Sequence, residues 1–365
     1  MGNAVDIGSR TTAARQPATQ VAAGLRFVAA DVGGTNARVA LIQADAAGRI
    51  EILDYHRYPC AAHSGLTAIL ADFVAAHADA GQAALQCMAI ASAGVVLDGE
   101  VINSNLPWRI SLRELRETLG LRELHVINDF AAAAHGVQRL AAGDSRLLTP
   151  GIEASEAGPV LVVGPGTGLG AAICIPHPAG TVVVPTEAGM TAFAPGTERE
   201  IEILRWMQQR SRHVPTEQLL SGPGLVNLYD AICALGGRAP AMRAPAEISQ
   251  AARAGDPAAR EAVDVFCALL GSVIGDLAMI GGARAVFIAG GIVPQLLDFL
   301  PHGDFRARLV DKGAMRPVLE RLPVRLVENE RLGAIGAAGW YLQHLGSRQD
   351  AAGDRATNKP GHTGA

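Results

Sequence analysis

Residues 31–42, DVGGTNARVALI, place two glycines, a threonine and an asparagine between two apolar runs. The runs at 27–32 and 38–42 predict two strands, and the glycines between them predict a hairpin turn. Because glycine has no Cβ, consecutive N–H groups of such a turn can surround an anion, and a threonine hydroxyl adds a donor. An ordinary hairpin has the same local pattern. We interpret the turn as a phosphate cradle formed by Gly33, Gly34, Thr35 and Asn36.

Two charged residues flank this turn. Asp31 precedes it and Arg38 follows it. Carboxylate oxygens are ligands that Mg²⁺ accepts, often with water between them. We predict that Asp31 holds Mg²⁺ through water and that Arg38 adds positive charge.

The strand-and-glycine pattern occurs twice more, at 158–176 and at 285–300. The first repeat predicts strand, glycine turn and strand; the second predicts strand, Gly-Gly turn and helix. The glycines of the first repeat also match a dinucleotide-binding GxGxxA pattern, with Glu187 downstream. That fold needs a helix after the glycines, and Pro176 follows too soon for one, so a second phosphate cradle is favoured. Strands that alternate with helices elsewhere predict an α/β protein.

A carboxylate follows another predicted strand, at 124–127. Asn128 and Asp129 come next, and an alanine-rich helix is predicted from Ala131. The carboxyl end of a strand is the usual place for a site in an open α/β sheet. The helix N-terminus favours the ionised form of Asp129, which can accept a proton or a hydrogen bond from a hydroxyl. The alternative is that Asp129 only caps the helix.

Other polar residues stand in apolar surroundings. Carboxylates and amides of this kind form bidentate hydrogen bonds with neighbouring sugar hydroxyls, although each alone also fits a surface position. The set consists of Asn105, Glu187 and Glu217.

Composition excludes several classes. The 365 residues are 49% apolar and 18% charged, with a net charge of −4, which provides no broad basic field for nucleic acid. The five cysteines are scattered and form no CxxC pair. Scattered thiols fit a reducing compartment, so a cytoplasmic location is predicted. The most apolar helical segment, 265–275, lies between two aspartates and is shorter than the roughly 20 residues that span a membrane.

In nine motifs the chain closely resembles bacterial glucokinases, members of the sugar kinase, actin and heat-shock chaperone superfamily. The resemblance covers about residues 27–346, and the chain lacks the cysteine cluster of the zinc-bearing branch. The motifs are DVGGTNAR at 31–38, SNLPW at 104–108, INDF at 127–130, GPGTGLG at 164–170, EAGM at 187–190, FAPGTERE at 193–200, HVPTEQLLSGPGLVNLY at 213–229, VFIAGGIVP at 286–294 and DKGAM at 311–315.

The resemblance implies two actin-like (ribonuclease H-like) α/β domains around a central cleft. The small domain would contain residues 26–139 and 333–346, and the large domain 140–332; residues 1–25 and 347–365 would be disordered. The family further implies a cytoplasmic homodimer that binds neither nucleic acid nor membrane.

The resemblance also assigns roles to single residues. The protein would phosphorylate the 6-hydroxyl of glucose with ATP and Mg²⁺, with Asp129 as the base. The sugar ligands would be Asn105, Asn128, Glu187 and Glu217. The residues around ATP would be Gly33, Gly34, Thr35, Gly166, Thr167 and Gly168 at the phosphates, and Gly290 and Gly291 at the nucleoside.

The chain departs from the family at one sugar contact. Most members have EGGH where this chain has Glu187-Ala-Gly-Met190, and the family histidine contacts the sugar. A thioether donates no hydrogen bond, and the loss of one near a charged group costs about 1.5–3 kcal/mol, or about 10- to 100-fold in affinity. Two alternatives to a glucokinase therefore stay open. They are a kinase for another hexose and a non-catalytic sugar-binding regulator.

Overall fold

A computed structural model describes residues 24–77, 84–102, 106–141, 143–152, 157–178 and 180–357. Residues 1–23, most of the predicted N-terminal extension, and Asn105 lie outside these ranges. The strands are β1 Leu25–Val32, β2 Asn36–Ala44, β3 Ile50–Pro59, β4 Cys87–Ser92, β5 Val95–Leu97, β6 Glu100–Ile102, β7 Ile110–Ser111, β8 Glu123–Asn128, β9 Ser145–Thr149, β10 Val160–Pro165, β11 Leu169–His177, β12 Gly180–Thr186, β13 Ala285–Ile288 and β14 Val324–Val327. The helices are α1 Leu66–Ala76, α2 Leu112–Leu119, α3 Asp129–Val137, α4 Glu198–Gln208, α5 Gly222–Leu235, α6 Pro245–Arg253, α7 Pro257–Gly281, α8 Phe305–Val310, α9 Arg316–Leu319 and α10 Leu332–Thr357.

Two sheets share one strand order. The first runs β3-β2-β1-β4-β8, and the second runs β12-β11-β10-β13-β14 with β9 added at its edge. In each sheet an antiparallel three-stranded meander is followed by two parallel strands. The predicted α/β class is confirmed, and the repeated glycine turns occupy equivalent places, β1–β2 in one sheet and β10–β11 in the other. A small sheet, β5-β6-β7, extends from the first.

The central strand of the first sheet is buried on both faces. Val28 and Ala30 of β1 pack into a core with α1, whereas Phe27 and Ala29 pack into a core with α10. Period-two alternation normally makes one face of a strand polar. Here both faces are apolar because helices cover the sheet on each side, as parallel strands usually require.

Helix α3 connects the two halves of the molecule. It follows β8 of the first sheet, yet it also contacts β10, β11 and β12 of the second. It packs backbone to backbone against α10: a Cβ at Gly336 would lie 1.8 Å from the carbonyl oxygen of Ala132, and one at Gly136 would lie 2.6 Å from that of Leu332. Since no side chain fits at either glycine, α3 and α10 lie in close contact. This contact and those with the second sheet fix the position of α3 between the two sheets.

The long apolar helix extends well beyond its most apolar segment, 265–275. Helix α7 has 25 residues and is long and apolar enough to cross a membrane by composition alone, with 56% of its most apolar window buried. Asp264 and Asp276 lie within it, and each has a cationic partner: Arg260 one turn away for the first and Lys312 for the second. The helix forms part of the main core with α5 and the second sheet, and a buried core helix satisfies the same compositional test.

Other helix ends have clear local signals. Ser111 caps α2 by accepting from the amide of Glu114, and Gly120 ends it in the left-handed conformation. The predicted helix after β13 is only a short 3₁₀ turn, Val293–Leu296. Helix α10 continues to Thr357, past residue 347 where the predicted tail begins.

Candidate active site

The first glycine turn is fastened to the end of β3. The amide of Gly33 donates to the carbonyl oxygen of Asn36 at 3.1 Å, which closes the turn. The amide of Cys60 donates to Thr35 at 2.9 Å, and the Cys60 thiol donates to the carbonyl oxygen of Gly33 at 3.3 Å. Thr35 is exposed at the tip and Gly34 is half-buried beside it. The turn is therefore fixed from behind while its tip faces solvent.

The second turn joins β10 and β11 and is closed by the amide of Gly166, which donates to the carbonyl oxygen of Gly168 at 2.8 Å. Thr167 is exposed at its tip, and a Cβ at Gly166 would meet no atom within 4 Å. The carbonyl oxygen of Gly166 accepts from the amide of Gly222, which fixes the turn to the start of α5. This turn, like the first, has an open tip and a braced base.

The third glycine pair follows β13 and lies against the second turn. Gly290 has a φ of +116°, and a Cβ there would lie 2.6 Å from the carbonyl oxygen of Pro165. Only glycine tolerates both conditions. Gly291, by contrast, faces open space. The second and third turns thus form one glycine-lined edge of the second sheet.

Asp129 is the first residue of α3 and is partly exposed. Its Oδ1 accepts from the amide of Phe130 at 2.8 Å. Burial raises the pKa of the Asp129 carboxyl to about 6; the Phe130 amide opposes this, and the charges of Asp31 and Glu187 add to the rise. The helix N-terminus was expected to keep the carboxyl ionised, but burial is the larger effect. At pH 7 the group is still mostly ionised, and it is a stronger base than an ordinary aspartate.

The residue before it caps the helix. Asn128 Oδ1 accepts from the amides of Phe130 and Ala131, both at 3.0 Å. Asn128, rather than Asp129, is therefore the N-cap, and the alternative interpretation of Asp129 as a cap is wrong. The Asp129 carboxylate accepts from the amide of Phe130, the next residue in the chain.

Glu217 lies beside the second glycine turn. Its Oε2 accepts from the amide of Leu169 at 3.4 Å, and a Cβ at Gly168 would lie 2.8 Å from this same oxygen. A Cβ at Gly189 would lie 3.2 Å from it. The glycines of both segments thus make room for the Glu217 carboxylate next to the predicted phosphate turn.

The Glu187–Met190 segment is tied to the Glu217 segment through threonines. The amide of Thr216 donates to the carbonyl oxygen of Thr191 at 2.8 Å, and their hydroxyls lie 3.2 Å apart. Glu187 precedes a 3₁₀ turn and is close enough to Asp129 to influence its ionisation. Met190 is 48% exposed, and its carbonyl oxygen lies 3.0 Å from Nε2 of His213.

Asp31 lies between Arg38 and the start of α10. Its Oδ2 is 3.4 Å from Arg38 Nη1, and its side chain is one fifth exposed. A Cβ at Gly333 would lie 2.5 Å from the carboxyl carbon. Burial raises the pKa of Asp31, while Arg38 opposes this rise. The Asp31 carboxylate is a hard oxygen donor whose negative charge is disfavoured by burial, so a bound cation would stabilise it. Such a donor suits Mg²⁺, which would neutralise phosphate charge when bound.

These contacts bring together most of the sequence-predicted residues that the structure describes. Asp31 and Glu187 lie close enough to Asp129 to act on its charge, Phe130 packs on Gly164 and Gly170 of the second hairpin, and Glu217 touches that hairpin. Asn36 is turned elsewhere: its Oδ1 accepts from Arg57.

Sequence reasoning missed two supporting residues of this site. Gly333 carries no local signal, because its importance comes from contact with a strand far away in sequence. Phe130 is part of the INDF motif, but its packing against the glycines of the β10–β11 hairpin follows only from the fold.

Two matching sheets with open glycine turns, and an acid at the start of the helix between them, characterise the actin-like sugar kinases. The glucokinase family model matches residues 28–344, so the chain belongs to the glucokinase family. It is accordingly a sugar kinase.

Relatives and a solved structure agree with this assignment. A glucokinase-like protein of Xylella fastidiosa is 44% identical over 321 residues, covering 87% of this chain and 94% of its own. A glucokinase of Chromobacterium violaceum is 40% identical over 338 residues, covering 90% and 93%. The crystal structure of a glucokinase from an Antarctic psychrotroph has a TM-score of 0.74 and 33% identity, covering 87% of this chain and 98% of that one.

Proposed function

We propose that this kinase transfers the γ-phosphoryl group of ATP to the 6-hydroxyl of glucose. The observation that carries the proposal is the position of Asp129: at the end of β8, partly exposed, with its pKa raised to about 6 and with Asp31 and Glu187 nearby. A hydroxyl that attacks phosphorus must lose its proton, and a carboxylate of raised pKa in a kinase cleft suits that task.

In this reaction the sugar oxygen forms a bond to the γ-phosphorus as the bond to the bridging β,γ-oxygen breaks. The hydroxyl proton passes to the Asp129 carboxylate, and ADP leaves with the bridging oxygen. Phosphoryl transfer depends mainly on positioning and on neutralising charge. The two glycine turns, Gly33–Thr35 and Gly166–Gly168, are the proposed phosphate sites, with Gly290 and Gly291 beside the nucleoside. The amides of Gly33 and Gly166 close their own turns, so the proposed phosphate donors are the N–H groups of Gly34, Thr35, Thr167 and Gly168.

Sugar recognition is assigned to the carboxylates that line the same region. Glu187 and Glu217 are the proposed acceptors for sugar hydroxyls, and Asn128 offers its amide nitrogen, since its oxygen caps α3. Mg²⁺ is assigned to Asp31. The five cysteines are all described and all free, which supports a cytoplasmic location, and we propose a homodimer by analogy with the family.

A second candidate function is the phosphorylation of a different hexose. It is favoured by Met190, whose half-exposed thioether stands at the position of the family's sugar-contacting histidine and donates no hydrogen bond. A hexose whose substituent makes apolar contact with Met190 would lose less binding affinity from the missing histidine than glucose does.

Coupled measurement of ADP release with a panel of hexoses tests both proposals. We expect turnover with glucose, reduced at least about 1000-fold in Asp129→Asn and unchanged in Asp98→Asn, a control on an exposed turn. Turnover confined to another hexose would establish the second function instead. Sugar-induced thermal stabilisation without ADP release would contradict both and favour a sugar-binding regulator.

A further inference from the structure

A second cluster of ionisable groups lies away from the kinase site, on β3 and at the end of α1. Asp54 and His56 share one face of β3, and His77 directly follows α1. Asp54 Oδ2 lies 2.7 Å from His77 Nε2 and 3.2 Å from His56 Nε2. The three ligand atoms all lie within 4.8 Å of one another.

Both ring nitrogens of His77 lie beside oxygen acceptors. Its Nδ1 lies 2.8 Å from the carbonyl oxygen of Phe73, and its Nε2 lies 2.7 Å from Asp54. Both neighbours are acceptors, whereas a neutral imidazole carries only one N–H. With Nδ1–H donating to Phe73, Nε2 is left facing the carboxylate, and the two atoms can share either a proton or, once they move slightly apart, a bound metal cation.

Several features favour the metal. A ring N–H that donates to a backbone carbonyl is the usual outer contact of a metal-binding histidine, because it fixes the tautomer and directs the other nitrogen at the ion. Tetrahedral Zn²⁺ with bonds of about 2.0–2.1 Å separates its ligand atoms by about 3.3 Å. The two separations from Asp54, 2.7 and 3.2 Å, need only small adjustments to reach this value, and the two histidine nitrogens lie within 4.8 Å of each other.

Access and charge also suit an ion. The His77 side chain is 12% exposed, whereas those of Asp54 and His56 are 44% and 49% exposed, so an ion and a water can reach the cluster from solvent. A second carboxylate, Asp72, accepts from the hydroxyl of Tyr58, whose ring stacks 6.1 Å from that of His56. The surroundings therefore add negative charge.

We propose that Asp54, His56 and His77 bind one Zn²⁺ ion, with water as the fourth ligand. Two imidazoles and one carboxylate are ligands that zinc prefers, whereas Mg²⁺ prefers oxygen alone. The bound ion would join the end of α1 to β3, an edge strand of the first sheet, and so stabilise that corner of the protein. This site is independent of the proposed kinase reaction.

Equilibrium dialysis of the untagged full-length chain against Zn²⁺, after treatment with a chelator, tests the proposal. We expect one zinc per chain in this site, with affinity at least about tenfold weaker in His77→Gln and in His56→Gln. His302→Gln, at an exposed histidine elsewhere, should bind as the parent does. Circular dichroism would verify that each variant is folded, and His56→Gln is the safer of the two because its side chain is half-exposed.

Co²⁺ provides a second readout through its visible absorption. Four-coordinate Co²⁺ should give a strong band with the parent chain, and Asp54→Asn should weaken or shift that band. Zinc affinity that is equal in the parent and in both histidine variants would overturn the proposal. No zinc binding at all would likewise overturn it.

Discussion

Gly333, in the first turn of α10, lies directly against the carboxylate of Asp31 at the end of β1, and a Cβ there would lie 2.5 Å from the carboxyl carbon. The contact joins the C-terminal helix to the first glycine turn. It also places the Asp31 charge next to a helix N-terminus, where anions are favoured. The absence of a side chain at residue 333 therefore determines where Asp31 can lie.

Gly333→Ala should displace Asp31 and lower activity. The added methyl group would force Asp31 or α10 to move, at a cost of about 1–3 kcal/mol in the free energy of unfolding. Because small displacements of positioning groups are costly, we expect kcat/KM to fall about 10- to 100-fold. Gly143→Ala is a matched control, since a Cβ there meets no atom within 4 Å. Equal activity of the two variants would show that Asp31 does not need its observed position.

The pH dependence of kcat/KM should report the Asp129 carboxyl. Its pKa of about 6 means that the base is lost to protonation as the pH falls, so kcat/KM should decrease about tenfold per unit below pH 6. Glu187→Gln removes a negative charge that raises this pKa, and should move the acid limb to lower pH. Rates measured from pH 5 to pH 8 in the parent enzyme and in Glu187→Gln follow the acid limb of each protein. An acid limb near pH 4 in the parent enzyme would contradict the assignment of the base.

The same raised pKa predicts that Asp129 destabilises the fold at neutral pH. In the folded state the carboxyl binds its proton near pH 6, against a usual value of 3.8, so its contribution becomes less unfavourable as the pH falls from 6 to 4. Asp129→Asn should therefore be more stable than the parent by about 1–3 kcal/mol at pH 7, with little difference below pH 4. Chemical denaturation at the two pH values measures this, with Asp98→Asn as the control. A less stable Asp129→Asn protein at pH 7 would rule out the burial penalty.

Met190→His should strengthen glucose binding. The Met190 side chain is 48% exposed, so an imidazole fits there without repacking the core. A hydrogen bond restored near Glu187 should lower the apparent KM for glucose about 10- to 100-fold. Met315→His, at a methionine that is 44% exposed elsewhere, should leave KM unchanged. Identical KM values in Met190→His and the parent enzyme would mean that residue 190 does not face the sugar.

Local pattern was enough to predict much of the fold. The runs around Gly33 and Gly166 alternate with turn glycines, and each formed the expected hairpin. Asn128 and Asp129 followed a strand and began a helix, as predicted, although the helix begins two residues before Ala131. These features depend on residues that are neighbours in sequence.

Features that depend on distant contacts were not predicted. The C-terminal end of α7 was not predicted, and the partner of Asp276, Lys312, comes from elsewhere in the chain. The contact between Gly333 and Asp31 joins the C-terminal helix to the first strand. The cluster at Asp54 needs His77 from a different element, and no spacing in the sequence indicates that the two meet. The direction of the Asp129 pKa shift depends on burial, which the sequence does not report.

The central claim is that Asp129 accepts the proton when phosphate moves from ATP to the 6-hydroxyl of glucose. Phosphorus NMR of ATP, Mg²⁺ and glucose mixed with the enzyme follows the product and the rate together. We predict that glucose 6-phosphate and ADP appear in equal amounts, and that Asp129→Asn forms them at least about 1000-fold more slowly while glucose still raises its Tm. Phosphate on a different hydroxyl, or an Asp129→Asn protein as fast as the parent, would contradict the claim.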